Sequence, residues 1–232
     1  MAASKQAAPG MKLVVQQVSS ASLLIDNAEK FVHIRAGTIV HVSFMKNATS
    51  DHVQKAAKMI LGAKLSKGKG STEKSGSILD YGGDVMIIPQ ACMAGKLKNG
   101  GRMQYHDQIE KIVGEDLYNT LIYELAKGIL GNLKKNSDLS MAESSCRTFV
   151  DGIEICDVYE SSLENLLCPS NQTEEKEKSL LDTAFAKGRN GVLLRAEEGE
   201  GSVAQRLAFG TYGNRQGLNF SSGGPYTHVI EV

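Results

Sequence analysis

A chain of 232 residues carrying 26 Lys+Arg against 26 Asp+Glu has no formal net charge and is long enough to bury a substantial core. Its longest uncharged apolar runs fall short of the roughly 18 to 20 residues that span a bilayer, and its first residues lack the basic-then-apolar order of a leader peptide, so no membrane partner is expected. Four cysteines (Cys92, Cys146, Cys156, Cys168) are widely spaced, with no CxxC pair and no paired histidines nearby, so the expectation is reduced thiols, a cytoplasmic chain, no metal and no cofactor.

Residues 1–10 hold almost nothing apolar and read as a loose tail. From Met11, the pairs Leu13/Val15, Leu23/Ile25 and Val32/Ile34 and the triplet Val40/Val42/Phe44 alternate at period two between turn residues, which predicts a meander of strands. The period changes at Asp51. Val53, Ala56, Ala57, Ile60 and Leu61 fall on one helical stripe, with Asp51 and Gln54 as a candidate capping box. Residues 66–76 are mostly Lys, Gly and Ser without a large apolar side chain, a basic loop leading into the buried strand Val85-Met86-Ile87-Ile88. A second helix is spelled by Tyr118, Leu121, Ile122, Leu125, Ile129 and Leu133, with Glu115-Asp116 in its first turn and Gly128 and Gly131 weakening its end. The stretch 135–202 is acidic and includes a short helix over 173–187; strands return from Val203 to the C-terminus. The predicted organisation is a tail (1–10), one core domain built from 11–134 plus 203–232, and an acidic insertion (135–202).

Charge is unevenly placed. Residues 1–106 carry 14 basic and 6 acidic side chains, and residues 107–202 carry 10 and 19. Such a split is either a pair of solvated faces or the footprint of a polyanion, and the basic excess clusters at Lys64, Lys67, Lys69, Lys74, Lys96, Lys98 and Arg102. A phosphate loop does not fit, because five residues separate Gly62 from Gly68 where four are needed, and Gly70 follows Lys69 where a hydroxyl should hold magnesium. Cys92 follows a strand in a loop and is a candidate thiol nucleophile if His106 or His228 lies close.

Two strand-end loops stand out: Pro89-Gln90-Ala91-Cys92-Met93-Ala94-Gly95-Lys96-Leu97 and Gly223-Gly224-Pro225-Tyr226-Thr227-His228. Together with Gly210-Thr211-Tyr212-Gly213-Asn214-Arg215-Gln216 and Met103-Gln104-Tyr105-His106, they resemble the D-aminoacyl-tRNA deacylases, in their eukaryotic second branch, over about 150 positions in order. The resemblance implies layered, barrel-like β-sheets flanked by a few helices, and a homodimer in which the Gly-Pro loop of each subunit enters the other's active site. It implies hydrolysis of the ester between a wrong amino acid and the terminal ribose of tRNA, assisted by the RNA's own 2′-hydroxyl. By position, Gln90, Ala91 and Cys92 would line the ester site, and Gly224, Pro225 and Thr227 would form the loop that judges chirality. Lys67, Lys69, Lys96, Lys98 and Arg102 would hold tRNA phosphates. Two departures are visible: Cys92-Met93-Ala94-Gly95 stands where the family has threonine followed by Leu-Gly-Gly, and the acidic insertion (135–202) is not covered by the resemblance. The branch is linked with D-amino acids and with L-alanine on threonine tRNA, the latter attributed to a trans Gly-Pro bond. The competing readings are an RNA-binding module without catalysis and a Cys92 thiol hydrolase.

Overall fold

In the computed structural model, residues 8–26, 30–67, 75–136, 146–150, 153–155, 190–195 and 204–232 are described. The chain opens with four strands, β1 (Met11–Val18), β2 (Ser20–Leu24), β3 (Phe31–Ile34) and β4 (Gly37–Phe44). Helix α1 (Ser50–Gly62), the short strands β5 (Ser66–Lys67) and β6 (Ser75–Gly76), the one-turn helix α2 (Ile78–Tyr81) and strand β7 (Asp84–Pro89) follow. A 3-10 turn (Ala91–Ala94) leads to the hairpin strands β8 (Lys96–Leu97) and β9 (Met103–Gln104) and to the long helix α3 (Lys111–Asn136). The remainder is β10 (Cys146–Val150), β11 (Ile153–Ile155), β12 (Gly191–Arg195), β13 (Ala204–Phe209), β14 (Leu218–Ser221) and β15 (Thr227–Glu231).

These strands form an open eight-stranded sheet in the order β11-β10-β12-β13-β7-β4-β1-β15 and a separate three-stranded sheet, β14-β2-β3. The architecture is mixed α/β, but among the described residues no barrel closes: the large sheet ends at β11 and β15, which do not pair with each other, and this corrects the barrel-like expectation. The predicted meander also gives way. Strand β1 pairs along its whole length with β4, from Met11↔Phe44 to Val18↔Gly37, and the β2–β3 hairpin folds away into the small sheet. Period-two alternation tells each strand which face is apolar and leaves its partner open. The stretch expected as an acidic insertion contributes β10, β11 and β12 to the large sheet, while the helix expected over 173–187 lies outside the described residues.

The three central strands β4, β7 and β13 run parallel and are covered on both faces, which explains the unbroken apolar run of β7. On one face Val40, Val42, Val85 and Ile87 meet the stripe of α1 and the stripe of α3, from Tyr118 to Leu133. On the other, Ile39, Met86 and Ile88 meet Leu23, Val32 and Ile34 of the small sheet. Helix α3 begins at Lys111, ahead of the acidic pair, and continues unbroken past Gly128. A Cβ at Gly128 would stand 2.4 Å from Leu61 Cδ1, so this glycine is where the two helices approach closely. The capping box of α1 uses Thr49 and His52 in place of Asp51 and Gln54, with the Thr49 N–H donating to His52 Nδ1 at 3.2 Å.

Buried Asp84 ties the layers together. Its carboxylate accepts from the Arg35 backbone N–H at 2.8 Å, from Arg35 Nε and Nη2 at 3.0 and 2.9 Å, and from the Arg206 N–H at 2.9 Å. A carboxylate with its side chain 1% exposed is tolerable only when paired and hydrogen-bonded in this way. Among the described residues no helix is long and apolar enough to cross a membrane.

Candidate active site

Because β4, β7 and β13 are parallel, their carboxyl ends open on the same side of the sheet, the usual place for a ligand crevice. A cavity of about 600 Å³ lies there, lined by His41 to Phe44 of β4, Ile88 to Cys92 at the end of β7, Gln108, Lys111, the loop Tyr212 to Gln216, and Leu23 and Leu218 from the small sheet. It is the gap where the second core runs out. Along one face of β4 the side chains pass from fully buried Ile39 to His41 and Ser43, so the surface turns polar as it leaves the core.

The chain enters this site at the end of β7. The Gln90 N–H makes the last sheet-like bond, to the Val42 carbonyl at 2.7 Å, and the backbone then coils, with Met93 N–H donating to Gln90 O at 3.2 Å and Gly95 N–H to Cys92 O at 3.0 Å. Among the described residues no acceptor takes the Ala91 and Cys92 N–H groups, the unfilled donors that any helical turn leaves at its start. Both residues are exposed at the cavity. The Cys92 sulfur accepts from Gln90 Nε2 at 2.7 Å, and neither His106 nor His228 lines the cavity. Behind the turn, the buried Tyr118 hydroxyl sits 3.0 Å from both the Ile87 and Gly210 carbonyls and shares its single proton between them, joining the ends of β7 and β13.

The opposite wall is the loop after β13. Thr211 Oγ1 donates to the Ile25 carbonyl at 3.0 Å and accepts from Asn190 Nδ2 at 3.0 Å, and Gln216 Nε2 donates back to Thr211 O at 2.8 Å. Gly213 holds φ +79°, a conformation that favours glycine. Tyr212 stacks at a tilt on Tyr118, ring centres 5.5 Å apart, and burial raises its hydroxyl pKa. Three cavity-lining residues carry buried polar atoms without a partner: His41 Nδ1, Ser43 Oγ and Gln216 Oε1. Desolvation lowers the His41 pKa, which favours a neutral imidazole at this wall.

Of the residues singled out in the sequence, Gln90, Ala91 and Cys92 come together at the cavity, whereas Gly224, Pro225 and Thr227 do not line it. The Gly-Pro loop is stiff. Gly224 O accepts from Tyr226 N–H at 2.8 Å and lies 2.6 Å from Ser222 Oγ, Pro225 O accepts from Thr227 N–H at 2.9 Å, and Thr227 Oγ1 donates to Gln16 Oε1. No cis peptide occurs among the described residues, so Gly224–Pro225 is trans. Near this loop Phe220 of β14, Tyr226 and, on the β15 edge, Val229 are exposed, Val229 by 71%. Of the expected phosphate ligands, Lys98 and Arg102 project from the β8–β9 hairpin, Lys96 is paired with Asp107, Lys67 sits in β5, and Lys69 lies outside the described residues. His41, Ser43 and Lys111 were not legible as site residues. The one available signal was the apolar-to-polar change along the Ile39, His41, Ser43 face.

The family described as D-Tyr-tRNA(Tyr) deacylase matches this chain over residues 14–140. A Homo sapiens protein named D-aminoacyl-tRNA deacylase 2 is 34% identical over 131 residues, covering 54% of this chain and 76% of the relative. The Gallus gallus protein of the same name is 29% identical over 198 residues, 85% of this chain and 78% of its own length. A solved structure described as a probable eukaryotic D-amino acid tRNA deacylase shares the fold, with a TM-score of 0.60 at 22% identity over 96% of this chain and 99% of that one. The matched stretch runs from β1 through α3 and contains the β7 strand end with its unfilled amides; the chain belongs to the D-Tyr-tRNA(Tyr) deacylase family.

Proposed function

We propose that the cavity at the end of β7 is the ester site of a deacylase acting in trans on mischarged tRNA, completed by the Gly224–Pro225 loop of a second copy. The chain is a hydrolase of the carboxylic ester that joins an amino acid to tRNA, and it serves proofreading in translation. The observation that carries the site assignment is the pair of unfilled N–H groups at Ala91 and Cys92, on residues lining a cavity at the carboxyl ends of parallel strands. Water adds to the ester carbonyl, negative charge gathers on its oxygen, and the ribose oxygen leaves with a proton. Two fixed backbone donors suit that oxygen, and one such donor is worth about 10² to 10³ in rate. In this reading the vicinal 2′-hydroxyl of the RNA carries the proton, and Gln90 sets the turn from which the amides project.

Chirality is judged by collision in this proposal. The Gly224 and Pro225 carbonyls are fixed by local bonds, and a rigid wall excludes the wrong configuration more sharply than apolar fit, which gives about 10- to 200-fold per methylene. The exposed β15 edge with Tyr226 and Val229 supports a two-fold partner that would bring this loop to the other cavity. The trans Gly224–Pro225 bond supports acceptance of L-alanyl- beside D-aminoacyl-tRNA. Lys67, Lys69, Lys96, Lys98 and Arg102 remain the proposed outer phosphate contacts, in a cytoplasmic setting.

The test is ester loss from D-tyrosyl-, L-tyrosyl- and L-alanyl-tRNA(Thr) incubated with the protein. The expected result is release from the first and third only, slowing as salt rises. Protection of all three esters would overturn the assignment and leave an RNA-binding module.

A further inference from the structure

Among the described residues, two cations border the cavity, Lys111 at the first position of α3 and Arg215 in the loop after β13, and no carboxylate lines it. Neither side chain has an ion-pair or hydrogen-bond partner among the described residues, whereas Lys96 is paired with Asp107. The lysine is held against the loop by the lack of a side chain at Gly213. A Cβ there would stand 2.6 Å from Lys111 Cε and 3.0 Å from its Nζ. Gly213 therefore supplies both the left-handed turn that presents Asn214 and Arg215 and the space that brings the ammonium onto the same loop. Two cations on one rim repel, and an anion bound between them lowers that penalty.

We propose that Lys111 and Arg215 form a phosphate-binding pair at the cavity rim, which takes the phosphodiester preceding the esterified terminal nucleoside of the RNA. This rests on the ester-site reading above, because that site fixes where the terminal ribose lies. A guanidinium offers a planar fork for the two non-bridging oxygens of a phosphodiester, and an ammonium adds a point charge beside them. Unlike the outer basic hairpin, the pair registers the last linkage of the chain, so that the ester carbonyl meets the Ala91 and Cys92 amides.

The experiment compares kcat/KM for two esters of one D-amino acid, on adenosine and on cytidylyl-(3′→5′)-adenosine, which differ by the phosphodiester and the nucleoside beyond it. The wild type is expected to prefer the phosphate-bearing ester, and Lys111→Gln and Arg215→Gln each to lower that preference roughly tenfold. Arg215→Lys and Lys111→Arg should restore part of it, which a mere packing defect would not. A preference unchanged in both Gln variants, or an equal loss on both esters, overturns the proposal. Binding of uncharged cytidylyl-adenosine is titrated in parallel. If the wild type cleaves neither ester yet binds the dinucleotide through Lys111 and Arg215, the deacylase site falls and the phosphate pair stands. If it neither cleaves nor binds, both fall.

Discussion

At the scale of single residues, the proposed site would rely on backbone more than on side-chain acids and bases. The Cys92 sulfur is an acceptor for Gln90 Nε2, and in the proposed chemistry the donor at that position is its own N–H. Cys92→Ala is therefore expected to keep most of the deacylation rate, within about threefold, since it removes one weak hydrogen bond and no oxyanion donor. Complete loss in a folded variant, measured on D-tyrosyl-tRNA, would restore the thiol-hydrolase reading. His41 gives a pH signature. Burial depresses its pKa below the ordinary 6.5, so the folded state binds its proton less readily than the unfolded state. The resulting stability is present above pH 6.5 and is lost as pH falls through the lowered value. Urea midpoints from pH 8 to 5 should fall in the wild type and fall less in His41→Gln. Equal slopes would place the titration elsewhere.

At the scale of elements, the β4–β7 crossing tolerates no added atom. A Cβ at Gly37 would stand 1.9 Å from the Asp84 carbonyl oxygen, which belongs to sheet backbone and cannot step aside. Gly37→Ala is expected to cost about 3 kcal/mol or to prevent folding, read as a drop of the denaturation midpoint. Wild-type stability in that variant would mean the strands are not packed as described. Single elements were legible because their periods are long and clean: the Val53-to-Leu61 stripe is α1, and the Val85–Ile88 run lies within β7. Partnering was not. Leu23, Ile25, Val32 and Ile34 alternate like the residues of β1, but they build a second core against Met86 and Ile88, and nothing local distinguishes the two choices. Helix α2 escaped notice although Ser77 and Asp80 spell a capping box, because four residues show no period. The cavity rim was opaque for a different reason. His41, Lys111 and Arg215 lie on three elements far apart in sequence and meet only once β4, β7 and β13 are parallel.

At the scale of the whole molecule, the Gly224–Pro225 loop does not line the cavity of its own chain, so the proposed chemistry requires a second copy and complementation can test it. Ala91→Trp fills the cavity and leaves the loop intact; Gly224→Trp leaves the cavity open and presents a bulky loop to the partner. Each homodimer should be inactive for its own reason. Mixed and allowed to exchange, the two variants form heterodimers in which one site joins two blocked halves and the other joins an open cavity to an unaltered loop. Random pairing makes half the dimers mixed, and each mixed dimer has one working site of two, so about a quarter of wild-type activity should return. A loop acting within its own subunit would give no recovery at any mixing ratio, because every site would then contain either a filled cavity or a bulky loop. Recovery that follows the product of the two concentrations, with sedimentation showing dimers throughout, would place the chirality-judging loop across the subunit boundary.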